Sequence, residues 1–125
     1  MKYVGQGGLG YQVRDCLHPR DLCSLLKAQM GCSERKQTLV YNVGGGHSNA
    51  MSLAQLTDWC SLRFGKHHID SVSENRTFDV PWIVMDYGLA EKTWKWQPEI
   101  SMNSILDEIA AHAEQHPDWL MVSAT

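Results

Sequence analysis

The run Gln12-Val13-Arg14-Asp15-Cys16-Leu17-His18-Pro19-Arg20-Asp21-Leu22 restricts the fold of this chain more than any other. It requires an extended segment that passes almost at once into a helix. Pro19 suits the first helical position, where a missing N–H is no loss and φ is already correct. Asp21, in the first turn, complements the positive end of the helix dipole. Leu22, Leu25, Leu26 and Met30 then recur at helical spacing, and Gly31 is placed as a C′ residue. The polar groups able to hold an anion precede the proline. Arg14 leads them, because a guanidinium takes a diphosphate through two parallel hydrogen bonds and a lysine does not. Its other reading is an ion pair with Asp15 or Asp21.

The glycines ahead of this run, Gly5, Gly7 and Gly10, satisfy G-x-G-x-x-G. A dinucleotide site needs a strand before such glycines and a helix opening on the last one. Residues 2–4 allow only a very short strand, and residues 9–14 alternate with no helical period, so a flexible loop before a strand is expected instead. Further on, residues 38–43 are β-branched and apolar enough for a buried strand ended by Gly44-Gly45-Gly46. Ser52 and Gln55 form a capping box before the stripe Leu53, Leu56, Cys60 and Phe64, and Gly65 closes that helix. Strands are expected over 66–72 and 80–85, with Pro81 pushing the latter toward a sheet edge or its first position. Asp86 is placed to cap a short helix reaching Trp94. Ser101 caps the last helix, with Ile105, Leu106, Ile109 and Ala113 facing inward and Pro117 marking its end. The order of elements predicts one α/β (α+β) domain over 1–125, a small mixed sheet with about three to four helices.

Four motifs in this order resemble a known family. Val13-Arg14-Asp15-x-x-His18-x-x-Asp21-Leu22 after a Gly-rich lead is similar to the segment opening the substrate lobe of extended short-chain dehydrogenases/reductases, the sugar-nucleotide epimerases and dehydratases. The version here is most similar to the CDP-paratose (CDP-tyvelose) 2-epimerases. Asn42-Val43-Gly44-Gly45-Gly46 followed by Ser52-Leu53 resembles the family's NVGGG…SL. Arg76, Asp79 and Asp86 fall in its R-x-x-D…D region, and Trp96-x-Pro98-x-Ile100-Ser101 resembles its GW-x-P-x-x-S turn. The resemblance implies the C-terminal, substrate-binding lobe of such an enzyme without its Rossmann domain. It implies that Arg14 and Arg76 contact a nucleotide diphosphate, with Gln12 and Asp15 beside them. For His18 it implies a structural task, tying loop to helix.

Redox epimerisation also needs a cofactor sheet and a catalytic Tyr-x-x-x-Lys. Tyr3, Tyr11, Tyr41 and Tyr87 are followed four residues on by Gly7, Asp15, Gly45 and Glu91, so no pair fits. With no hydride carrier and no base, the chain is expected to bind a CDP- or UDP-sugar weakly and not to transform it. NAD is expected only with a Rossmann-lobe partner, no cofactor or metal in this chain. The face that would meet that lobe would be left exposed, which predicts a homo-oligomer. The alternative is a non-catalytic protein-interaction or oligomerisation module derived from that lobe.

Composition narrows the rest. A net charge of −3 over 125 residues argues against a nucleic-acid or membrane electrostatic surface. No apolar run is as long as a membrane span, and no signal-peptide pattern opens the chain. Cys16, Cys23, Cys32 and Cys60 show no C-x-x-C pair, which reads as buried thiols in a reducing, cytoplasmic setting. His68 and Asp70 share a strand face and with His47 form an atypical zinc set. His112 and His116 have metal-compatible i, i+4 spacing but no H-E-x-x-H pattern, and read as a solvated helix face. One of Trp59, Trp82, Tyr87, Trp94, Trp96 and Trp119 can stack on a nucleobase; as a group they read as core or interface.

Overall fold

Pro19 does open the first long helix, and the residue before it caps that helix. In the computed structural model, which describes residues 2–32, 40–72, 74 and 77–119, β1 (Lys2–Val4) leads through a 3-10 turn at Gln6–Gly8 into β2 (Val13–Asp15) and α1 (Pro19–Met30). His18 is extended, and its Nδ1 accepts the Arg20 N–H at 3.0 Å. A ring nitrogen that accepts carries no proton, so the proton belongs on Nε2, which faces the Glu108 carboxylate at 3.3 Å. His18 thus ties the loop to α1 and α1 to the last helix.

A 3-10 turn at His47–Asn49 precedes β3 (Ala50–Ser52) and α2 (Leu53–Phe64). The capping box is complete: the Gln55 N–H donates to Ser52 Oγ, and the Ser52 N–H to Gln55 Oε1. Gly65 closes α2 at φ 91°, a region that other residues seldom enter. Then come β4 (Asp70–Val72), β5 (Trp82–Ile83), α3 (Gly88–Trp94) and α4 (Met102–Gln115). Ser101 caps α4 by accepting the Ser104 N–H at 3.2 Å.

The strands form two small sheets. β1 pairs in parallel with β4, and β2 lies centrally in the order β3-β2-β5, antiparallel to β3 and parallel to β5. Arg14 stands opposite Met51 on one side and Ile83 on the other. Helices and small mixed sheets together make an α+β fold, as the order of elements predicts. The buried apolar residues fall in two groups: Leu25, Ala90 and Trp96, and, along α4, Met102, Ile105, Leu106 and Ala110. Trp96 spans from α3 to α1, its indole N–H donating to Asp21 O and Ser24 Oγ.

Several local expectations are corrected. Residues 40–43 are not a strand; Tyr41 and Val43 instead pack as single side chains on the Leu25–Trp96 cluster, and residues 38 and 39 lie outside the described residues. The strands expected over 66–72 and 80–85 shrink to three and two residues, because only those reach a partner strand. β5 is a sheet edge with Pro81 just ahead of it, as its proline requires. The glycine lead is an ordered turn rather than a flexible loop: Gly8 N–H donates to Gly5 O, and Ser71 Oγ to Gly8 O. Of the α1 stripe only Leu25 is buried, and on α4 Ile109 is half exposed while Met102 and Ala110 go inside. Gly31 ends α1 with right-handed backbone angles, not as a left-handed C′. Asp86 sits one residue ahead of the α3 cap and accepts the Gly88 N–H at 2.8 Å. The cysteines form no disulfide, and none is buried; Cys16 and Cys23 are exposed.

Candidate functional site

Alternation along β2 builds the site. Side chains two apart on a strand share a face, and Gln12, Arg14 and Cys16 together line one cavity of about 400 Å3. Its far wall is apolar, from Met51, Leu56, Met102 and Leu106, and Asp79 completes the polar end. The strand holds the arginine in place, α4 and the start of α2 supply the wall, and the cavity opens to solvent beside an exposed Arg14.

Gln12 is 7% exposed. Its Nε2 donates to Val4 O at 2.9 Å and to Asp79 Oδ2 at 3.3 Å. Both partners are acceptors, which fixes the amide orientation and leaves Oε1 as a buried acceptor with no hydrogen bond. A buried acceptor of this kind is destabilising until a donor reaches it. Arg14 Nη1 donates to its neighbour's carbonyl, Val13 O, at 2.6 Å. Neither aspartate proposed as its ion-pair partner takes it: Asp21 is buried and its Oδ2 accepts the Ile100 N–H, while Asp15 Oδ2 accepts the Gly46 N–H at 2.9 Å. The guanidinium keeps most of its donors for solvent or an anion.

The structure brings Gln12 and Arg14 together and sends Asp15 the other way. Asp15 lies on the opposite face of β2 against the glycine segment, and the close approach there explains Gly44 and Gly45, while Gly46 has φ 67° and packs against Tyr87. A Cβ on Gly44 would lie 2.4 Å from Asp15 Oδ2, and one on Gly45 1.9 Å from Cys16 O. Arg76 lies outside the described residues. Cys16, in the cavity wall, has its thiol pushed above the ordinary range by partial burial and then by the Asp15 carboxylate, so it stays protonated at neutral pH. Arg14, Cys16 and Asp79 are the ionisable groups of the wall, and Asp79 Oδ2 accepts from Gln12 Nε2. What they can do is hold an anion at the exposed Arg14; Gln12 Oε1 is itself buried and closed to a ligand in the cavity.

Two residues matter here in ways the sequence did not signal, and one of them, Asn49, carried no motif signal at all. Asn49, 4% exposed, donates from Nδ2 to Ile100 O and accepts the Met102 N–H at Oδ1, each at 2.8 Å, while its carbonyl accepts the Cys16 N–H. It therefore sets the position of α4 against β2, the two sides of the cavity. Asp79 was visible as a motif residue, but its place beside Gln12 comes only from the packing of the segment after β4. Among the described residues no three His, Cys, Asp or Glu side chains gather to hold a metal; His68 pairs with Asp70 at 2.8 Å, and the His47 ring lies 6.1 Å from that of Trp82. None of their helices is long and apolar enough to cross a membrane. No protein-family model, curated protein or solved structure matches this chain.

Proposed function

We propose that this chain is the substrate lobe of an NAD-dependent nucleoside-diphosphate-sugar epimerase or dehydratase, gripping a CDP- or UDP-sugar by its diphosphate and catalysing nothing alone. The reading rests on the four ordered motifs, and one observation carries it: an exposed Arg14 without an acidic partner among the described residues lines a cavity of about 400 Å3 together with Gln12 and Asp79. The guanidinium takes the diphosphate bidentately. Arg76 is the second phosphate ligand of this reading, and Asp15 holds the strand that carries Arg14. NAD enters with a separate Rossmann-lobe partner, in a cytoplasmic setting. Half a site gives affinity on the order of millimolar, since few contacts offset the entropy of association.

The test is a thermal-shift panel of CDP- and UDP-sugars against the chain and its Arg14→Ala variant. A rise in melting temperature that Arg14→Ala removes supports the reading. No rise with any nucleotide at tens of millimolar, or turnover by the chain with NAD alone, refutes it. A second reading, an oligomerisation module, is favoured by large apolar side chains in the open, with Leu62 89% and Phe78 91% exposed. Sedimentation at micromolar concentration decides it: a clean monomer counts against it.

A further inference from the structure

We propose that His112 and His116 chelate a borderline divalent cation, Cu2+ or Ni2+, at the C-terminal end of α4. Residues four apart on a helix lie on one face, and the last turn of α4 keeps that register because the His116 N–H still donates to His112 O at 3.0 Å. The two imidazole rings have centres 4.5 Å apart, inclined by 41°. That separation is informative. A metal–nitrogen bond of about 2.0–2.1 Å puts a bound ring's centre about 3.2 Å from the ion, so two rings at right angles have centres about 4.5 Å apart and two rings at a tetrahedral angle about 5.2 Å. The observed separation is short enough for one ion to bind both rings once a nitrogen of each turns toward it, and imidazole suits copper and nickel.

Both rings are exposed, so an ion reaches them directly from solvent. No third donor side chain joins them among the described residues, and water fills the other positions. Affinity therefore follows the general order of divalent ions for a nitrogen site, copper first. Both imidazoles must be neutral to bind, so binding weakens on acidification. The Trp119 ring stands edge-on to His112 with centres 5.2 Å apart, close enough to report the ion.

The experiment titrates CuCl2 into the full chain at neutral pH, followed by tryptophan fluorescence, with electron paramagnetic resonance of the copper-loaded protein. His112→Ala, His116→Ala and His68→Ala are compared, with circular dichroism to check that each folds. One copper per chain is expected, coupled to two imidazole nitrogens, with affinity falling at least tenfold in each α4 variant and unchanged in His68→Ala. Equal affinity in the native chain and either α4 variant, or coupling to a single imidazole in the native chain, overturns the proposal.

Discussion

Replacing Asn49 by alanine tests the account of how the cavity is held open. The side chain donates to Ile100 O just ahead of the α4 cap and accepts the Met102 N–H at the first residue of α4, each at 2.8 Å. Alanine leaves both backbone groups without that partner at a site where Asn49 itself is 4% exposed. A buried polar group stripped of its hydrogen bond costs about 1–3 kcal/mol, so the loss for the two is about 2–6 kcal/mol against a total stability of about 5–15 kcal/mol. At roughly 4 °C per kcal/mol for a chain of this size, the melting temperature falls by about 8–24 °C. Asn49→Asp keeps an oxygen for the Met102 N–H but sets its other oxygen against Ile100 O at a buried site, so it is expected to lose at least as much as alanine. Thermal and urea denaturation of both variants give the comparison. An alanine variant within about 1 kcal/mol of the native chain would mean that α4 is held elsewhere and the reasoning is wrong.

Gly45→Ala forces a methyl to within 1.9 Å of Cys16 O, which only backbone movement relieves; loss of several kcal/mol or of folding is expected by circular dichroism, and near-native stability would refute the close approach. The Cys16 thiol titrates higher when folded than when unfolded, so the stability it contributes is complete below the ordinary thiol range and is lost as pH rises through that range. Asp15→Asn removes the smaller of the two causes. In a background with the other cysteines replaced by serine, it should move the thiolate absorbance titration to lower pH, and an unmoved titration would contradict the assigned cause.

The helices were legible because their signals are local. Pro19, Ser52 with Gln55, Gly65 and Ser101 each act within one turn of where they stand, and all four do what their chemistry requires. The strands were less so. Whether residues 40–43, 66–72 or 80–85 pair depends on backbone brought from elsewhere, and β-branched composition carries no information about that. The site was half legible. Arg14 could be singled out by its chemistry, but grouping it with Asp15 ignored the two-residue period of the strand, which separates them and joins Arg14 to Gln12 and Cys16. Asn49 gave no signal, since a buried asparagine is recognisable only by the groups it bonds, fifty-odd residues away in Ile100 and Met102.

The helix α2 carries the case for association furthest. Twelve residues form a marginal helix in water unless an apolar face is covered. None of the α2 residues is buried, and its stripe runs from Leu53, 42% exposed, to Phe64, 54% exposed. What holds it is concentrated at its ends. The capping box contributes about 1 kcal/mol, the first-turn N–H groups of Leu53 and Ala54 donate to Gln12 O and Gly10 O, and Arg63 reaches Glu114 on α4 at 3.1 Å. An exposed ion pair adds about 0–1 kcal/mol, too little to replace packing. The stripe on α2 and the apolar wall of the cavity meet at Leu53 and Leu56, so one covering surface would shield both. That continuity ties the two proposed properties together: a partner laid along α2, as a Rossmann lobe or a second copy, would also close the cavity over Arg14 and tighten its hold on an anion.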